Sequence, residues 1–366
     1  MRMRTEQGFS LIEIMIGLTV GLISLLALYQ LYAVSEGRQR TAMSLSTAQA
    51  TGAMALFSIG RDIRSAALGF GGIGKTHLGC TVHAYHGQRT PASFEFRLLP
   101  VLIQQGSGDE SDTVWVLSGS SSTMVTGVRY LRSGAGTFTL EQSHAGIHAG
   151  DVLVGTSDSF SDRCLLMEAT AGSGTERLGT RLVKREAVSY RNFYSGQDVQ
   201  ALRNGGNSTS LLDKSDTNLG EGMLYNLGPE PVLHVWGVNG NRSLTRYNHL
   251  TEASGQQVEV AQDIIQFKAE YGYDADANGM IDGSTEWMAA LPASGVQWER
   301  VLAVRIAVLL RSSHYDKAEV TSAKPRWANG SKEFGMGTAG SDWKHYRYRV
   351  YESVISLRNV IWGQAA

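Results

Sequence analysis

The chain has 366 residues, and 33 Lys and Arg stand against 34 Asp and Glu for a formal charge of −1. That balance leaves no broad basic surface, so nucleic-acid binding is not indicated; an apolar share of 42% at this length is enough for a real core and excludes disorder as the main state. The 42 glycines beside 6 prolines, with many Ser and Thr, suggest a turn-rich β body rather than a Pro-rich linker protein.

Residues 1–8, MRMRTEQG, are short and basic through Arg2 and Arg4, and the chain is then almost wholly apolar from Phe9 to Tyr32. As a helix these 24 residues extend about 36 Å, enough to cross a bilayer, with the positive end held in the cytoplasm. One charge, Glu13, interrupts the run. A carboxylate inside a membrane segment costs on the order of 3 kcal/mol on insertion scales, so it asks for a partner or a task. Cleavage after Gly8 would supply one, because the new α-amino group of Phe9 lies one helical turn from Glu13. An ordinary signal peptide, with Ala33-Val34-Ser35 as its cleavage site, and a plain signal anchor are the competing readings. The apolar segment is longer than the roughly 7–15 residues of a signal-peptide core, and it carries an acid.

No proline precedes Pro91, so the helix is expected to run on past the membrane segment. Ala48, Gly52, Leu56, Ile59, Ile63 and Ala66 recur at spacings of three and four, an apolar stripe facing a sheet. The helix should stop near Gly69, where Gly69-Phe70-Gly71-Gly72 can take positive φ. Gly69 through Thr76 also satisfies the phosphate-loop pattern GxxxxGK[ST], but a helix comes before it rather than a strand, so no nucleotide is expected.

Beyond residue 80 the apolar runs are short, rich in β-branched and aromatic residues, and bounded by Gly, Ser and Asp. Thr113–Leu117, 151–154, 231–236, 264–271 and 301–310 read as strands of a mostly antiparallel sheet, with Arg305 as a charged edge contact on a central strand. Tyr346-Arg347-Tyr348-Arg349 alternates between an aromatic and a basic face. The stretch 200–222 reads as a long exposed loop. The nine histidines, among them His77, His83, His86, His144 and His148, show no ligand spacing and read as surface residues; no catalytic constellation is present and no enzyme is expected.

One loop carries metal-ligating chemistry. Asp274, Asp276, Asn278, the backbone carbonyl of Met280 and Asp282 occupy positions 1, 3, 5, 7 and 9 of an EF-hand-like calcium loop, with Gly279 at the sharp turn. Position 12 is Thr285, and Glu286, one place late, is the candidate sixth ligand. Calcium at modest affinity is the expectation, and a solvated acidic turn is the alternative.

The N-terminus resembles the type IV prepilin family: Gly8-Phe9-Ser10-Leu11-Ile12-Glu13 reads as its processing motif, followed by Ile14-Met15-Ile16-Gly17-Leu18. The resemblance implies cleavage by prepilin peptidase between Gly8 and Phe9, methylation of Phe9, and a role for Glu13 in docking into a filament. The body is similar to PilW-type minor pilins in Arg61-Asp62-Ile63-Arg64-Ser65-Ala66, in Gly79-Cys80, in a second cysteine after the Gly150–Val154 segment, and in Arg349-Val350-Tyr351-Glu352 with Leu357-Arg358-Asn359.

The implied fold class is α+β and type IV pilin-like, a long N-terminal helix with a transmembrane first half packed on a large, mostly antiparallel β body. The expected organisation is a leader at 1–8, a transmembrane and filament-core helix at 9–34, its amphipathic continuation at 35–69, and a periplasmic or extracellular body at 70–366. The implied role is to help initiate pilus assembly at the tip, supporting adhesion and twitching motility, with other minor pilins, the major pilin, the tip adhesin, prepilin peptidase and the inner-membrane assembly platform as partners. The protein would be a single-pass inner-membrane protein that then enters the pilus fibre. A minor pseudopilin of a type II secretion system and a membrane-anchored enzyme or sensor are the alternatives. An exported body sits in an oxidising compartment, so Cys80 and Cys164 are expected to form a disulfide, whereas in the cytosol they would read as two unrelated thiols.

Overall fold

The computed structural model describes residues 10–73, 77–121, 127–133, 136–142, 146–170, 181–186, 188–205, 221–252, 255–290 and 298–364. A single helix runs from Leu11 to Ser65, 55 residues and about 82 Å at 1.5 Å per residue. Its first part, Leu11–Tyr32, has a mean hydropathy of 2.4 and is not buried anywhere. Its last part is buried on one face: Ala55, Ile59 and Ile63 are fully sequestered, as is Ala66 just past its end, and Ala48 and Leu56 pack at the margin.

The helix stops at Ser65, four residues before the expected Gly69. The β body captures the chain there. The Ala67 amide donates to the Leu117 carbonyl at 3.0 Å with Ala67 at φ 66°, and the Gly119 amide donates to Leu68 at 2.8 Å. Gly69 then takes φ 90°, where a Cβ would lie 2.6 Å from the Asn226 carbonyl oxygen, so this close approach requires glycine.

Among the described residues three larger sheets make the body, with two small two-stranded ones beside them, Ser189–Arg191 with Asp198–Gln200 and Arg326–Trp327 with Lys332–Glu333. The first has eight strands, in spatial order Ser93–Arg97, Thr81–Tyr85, Phe160–Glu168, Val152–Ser157, Gly222–Gly228, Val128–Ser133, Thr137–Leu140 and Leu182–Lys184. All its pairs are antiparallel except Thr81–Tyr85 against Phe160–Glu168. The second, in order Val258–Ala261, Leu244–Asn248, Val232–Val238, Thr113–Ser118 and Val101–Gln104, is antiparallel throughout. The third sets Trp287–Met288, Ile264–Tyr273, Val301–Arg311 and Tyr348–Ser356 side by side, also antiparallel. A short C-terminal helix, Arg358–Gln364, follows. The architecture is α+β, a long apolar-started helix on a large antiparallel-rich body.

The strands expected at 113–117, 151–154, 231–236, 264–271 and 301–310 all form, each shifted or extended by a few residues. Tyr346 and Arg347 do not open the last strand, which starts at Tyr348 after a 3-10 turn at Trp343–His345. Arg305 is a buried ion-pair centre rather than an edge contact. Its Nη1 lies 3.2 Å from Glu270 Oε2 and its Nε 3.4 Å from Glu352 Oε1, its guanidinium stacks 3.9 Å over Trp287, and Lys332 also binds Glu270. Sequence alternation cannot separate an edge charge from a central one whose counter-ions come from adjacent strands. Of the loop expected at 200–222, residues 206–220 lie outside the described residues, while Ala201, Arg203 and Asn204 are buried, contrary to expectation. They are drawn in by Glu168, whose carboxylate accepts the Leu202 and Arg203 amides at 3.0 and 3.1 Å.

Candidate functional site

The helix begins at Ser10, whose extended backbone ends the preceding segment and whose amide donates to Glu13 Oε2 at 3.1 Å. Glu13 therefore reaches back along the helix to its N-terminus, where the helix dipole favours a negative charge and the first amides lack intrahelical acceptors. Gly8 and Phe9 lie outside the described residues, and so does the Gly74-Lys75-Thr76 end of the phosphate-loop pattern. From Leu11 to Tyr32 the large apolar side chains are 55–76% exposed. A patch of this size does not stay in water; it needs lipid or protein around it.

The other end of the helix is seated on the third sheet. Gly52 lies against the Tyr351 ring, and Gly60 lies one side chain from Ile355, so two glycines let the helix backbone come down onto the last strand. Between Ile59 and Ile63 the buried stripe is joined by a charge, Asp62, only 6% exposed. Its Oδ2 accepts from His234 Nδ1 at 2.7 Å and from Trp236 Nε1 at 3.0 Å. The carboxylate fixes the donor role of Nδ1. His234 and Trp236 are two apart on Val232–Val238, hence on one face, and Arg246, paired with Trp236 across the sheet, brings its Nη1 within 3.9 Å of the same oxygen. The motif 61–66 had pointed at this turn only by resemblance. A lone acid inside an apolar helical stripe was the signal for the clamp.

The expectation of surface histidines fails at two of the named positions. His77 is buried with Nε2 3.1 Å from the Ser157 carbonyl, and His86 is buried with its Nδ1 unpartnered. The packing that buries them involves residues far along the chain, so local composition carries no sign of it. His83 meets Glu95 at 2.9 Å, His148 stacks on Phe193, and His144 lies outside the described residues.

Cys80 and Cys164 are joined by a disulfide, with Cα atoms 5.9 Å apart. It ties the turn that follows the helix to the strand Phe160–Glu168, beside the parallel pairing of Val82 with Cys164.

In the acidic loop, one carboxylate oxygen from each of Asp274, Asp276 and Glu286 comes within 4.8 Å of the others. Asp274 accepts the Asn278 and Gly279 amides at 3.1 and 2.9 Å, and Glu286 accepts those of Asp282 and Gly283 at 2.8 and 2.9 Å. Asn278 Nδ2 bridges to Asp276 at 3.1 Å and Asp282 at 3.4 Å, and Gly279 takes φ 84°. Burial would raise the Asp274 pKa, but the amides of Gly279 and Asn278 win and hold it below the usual value; Glu286 is lowered by the amides of Gly283 and Asp282. This acidic cluster could bind a metal. Asn278 and Asp282 join the hydrogen-bonded loop, while the Met280 side chain is 63% exposed.

Two family models match the sequence. The prokaryotic N-terminal methylation motif matches residues 3–29, and Type IV pilus-assembly protein W matches residues 236–359. The second stretch takes in Trp236, Arg246 and the sheet beneath the helix. The comparison with curated proteins returned no match. Among solved structures, a type IV-like pilin from Thermus thermophilus aligns over 88% of this chain and 97% of its own at 8% identity, with a TM-score of 0.31, too loose a likeness to assign the fold. The matches at the two ends of the sequence, on a chain whose apolar helix is seated on an antiparallel body, support a type IV pilus minor pilin of the PilW type.

Proposed function

We propose that the chain is made as a prepilin, anchored in the inner membrane with its body in the periplasm, cut between Gly8 and Phe9 by prepilin peptidase, methylated on Phe9, and built into the tip of a type IV pilus. The observation that carries this reading is the continuity of one helix, exposed and apolar over Leu11–Tyr32 and clamped to the body through Ala55–Ala66. Such a helix can leave lipid for the core of a filament without unfolding the body. There Glu13 is the acid that meets the Phe9 amine, in its own subunit or a neighbour. Other minor pilins, the major pilin, a tip adhesin and the inner-membrane platform are the partners, and assembly, adhesion and twitching motility are the outputs. The acidic loop around Asp274, Asp276 and Glu286 is proposed as a calcium site that rigidifies a surface turn and takes no part in catalysis. A type II secretion pseudopilin shares the N-terminal requirements; the match over 236–359 to Type IV pilus-assembly protein W favours the pilus.

Mass spectrometry of the mature N-terminus tests the reading. Methylated Phe9 is expected. A chain starting at Met1 or after Ser35 overturns it in favour of a membrane-anchored protein or a secreted one. Loss of pili in a deletion strain, with secretion intact, separates the pilus from the secretion system.

A further inference from the structure

Three loops meet at the end of the first sheet: the turn 86–91, the segment 201–204 and the turn 249–252. The Gly87 amide donates to the Leu202 carbonyl at 2.9 Å, and Arg89 Nε and Nη1 donate to the carbonyls of Glu252 at 3.3 Å and Pro91 at 2.8 Å. Arg203, 7% exposed, sends Nη1 to the Leu250 carbonyl at 3.4 Å, and Arg89, 8% exposed, lies 4.1 Å over the Phe94 ring. The junction thus holds two buried guanidiniums, each with five N–H donors, that meet backbone carbonyls and an aromatic face but, among the described residues, form no ion pair with a carboxylate.

The acids at hand are committed elsewhere. Glu252 gives its carboxylate to the Asn248 amide at 2.8 Å and turns only its carbonyl to Arg89. Glu168 acts on Arg203 through space, while its oxygens take the Tyr190 hydroxyl at 2.5 Å and the Leu202 and Arg203 amides. Two histidines complete the surroundings. His86 is 5% exposed, and the Nδ1 atoms of His86 and His249 are buried without a hydrogen-bond partner. Burial, then Arg203 and Arg89, push the His86 pKa down to about 4, and burial with Arg89 does the same to His249.

Burying cations without a directly paired carboxylate is costly, and leaving polar nitrogens unsatisfied beside them adds to the cost. A small oxyanion offsets both at once: it pairs with the guanidiniums and accepts from imidazole N–H groups. We propose that His86, Arg89, Arg203 and His249 form an oxyanion-binding site at this loop junction, for phosphate or sulfate, free or as the terminal phosphate group of a larger molecule.

The full chain in detergent, titrated calorimetrically with sodium sulfate and with inorganic phosphate against sodium chloride at matched ionic strength, is the test. Saturable binding of both ions, with a melting temperature raised over chloride, is expected, and Arg89→Gln should weaken binding about tenfold or more, the loss of a charge-assisted bond. Absence of saturable binding up to tens of millimolar, or binding unchanged in both Arg89→Gln and His86→Asn, overturns the site. Should Arg89→Gln fail to fold, the wild-type titration and His86→Asn still decide. Glycerol phosphate as competitor separates the sources: displacement of sulfate fits a site open to a phosphate ester, and binding of inorganic ions alone fits a closed site for the free ion.

Discussion

The Asp62 carboxylate and the His234 imidazole meet at 2.7 Å across the seam between the long helix and the five-stranded sheet, and the same oxygen takes the Trp236 indole N–H. The helix is thus held by direction as well as by burial: Ile59 and Ile63 set its depth, and Asp62 sets its rotation and register against Val232–Val238. In the proposed passage from lipid into a filament, a pull on the apolar end would be transmitted through this joint.

Asp62→Ala leaves the Trp236 N–H and the His234 Nδ1–H buried without an acceptor and should cost about 3–5 kcal/mol, the scale of a broken buried charged group. Asp62→Asn keeps a carbonyl for one donor and should cost about 1–2 kcal/mol. Denaturant unfolding of the full chain in detergent, followed by Trp fluorescence, measures both; equal, small effects would show that apolar burial alone seats the helix.

The two glycines of the seat should respond in opposite ways. A Cβ at Gly52 would overlap the Tyr351 ring, lying 2.8 Å even from Cγ, so the ring must move. Overpacking of about 1–3 kcal/mol then outweighs the helix-propensity gain of about 1 kcal/mol, and Gly52→Ala should destabilise. At Gly60 a Cβ meets Ile355 Cδ1 at 3.6 Å, an ordinary contact, so Gly60→Ala should stabilise by about 0.5–1 kcal/mol. Thermal melts of the two variants side by side give the sign of each.

Much of this arrangement was legible in the chain. The apolar run and its single acid are properties of consecutive residues, and the stripe from Ala48 to Ala66 follows from helical spacing alone. Strand positions were legible for the same reason, since Val301–Arg311 and Thr113–Ser118 carry their β-branched character locally. What the sequence hid depends on distant partners. Asp62 meets residues 172 and 174 positions away, Arg305 finds its counter-ions on two neighbouring strands, and Arg203 and His86 are buried by loops that converge only in the fold. The end of the helix was misplaced because Gly69 signals a stop, whereas the Leu117 carbonyl draws off the Ala67 amide first.

The disulfide closes a loop of 84 residues, worth roughly 4 kcal/mol in the chain-entropy account. Cys80 and Cys164 are also 3% and 2% exposed within the core, so the double Cys→Ser variant adds buried hydroxyls to the loss of the crosslink. A fall in unfolding free energy of that size or more is expected, and thiol labelling of the denatured, unreduced protein should find none to label.

Asp274 and Glu286 share a sign. Both carboxyls titrate below their ordinary values, so the stability they lend the loop is complete above the ordinary carboxyl range and is lost as pH falls beneath it through the lowered folded values. The amide resonances of Gly279, Asp282 and Gly283 should hold steady from neutral pH down to those values and then move together. If the loop takes calcium, millimolar calcium raises the melting temperature, and the rise disappears in Asp274→Ala with Asp276→Ala. A rise that survives the double variant leaves only an acidic turn.

Glu13 should matter for assembly and not for the body. It is exposed in the first turn of the helix, and its hydrogen bond runs to the Ser10 amide, far along the helix from Gly52, where burial against the body begins. Glu13→Ala removes a first-turn charge worth about 0.3–1 kcal/mol to the local helix, too little and too remote to disturb the clamp. The variant body should therefore melt at the wild-type temperature with its disulfide formed. In the filament the same change would leave the Phe9 amine without its acid in an apolar surround, a far larger cost. Complementation of a deletion strain should accordingly give near-wild-type protein levels with few or no pili. Glu13→Asp, whose shorter arm keeps the charge, should recover part of the piliation, and Glu13→Gln, which keeps the length and loses the charge, should recover less. Full piliation with Glu13→Ala would show that the pairing with Phe9 is dispensable.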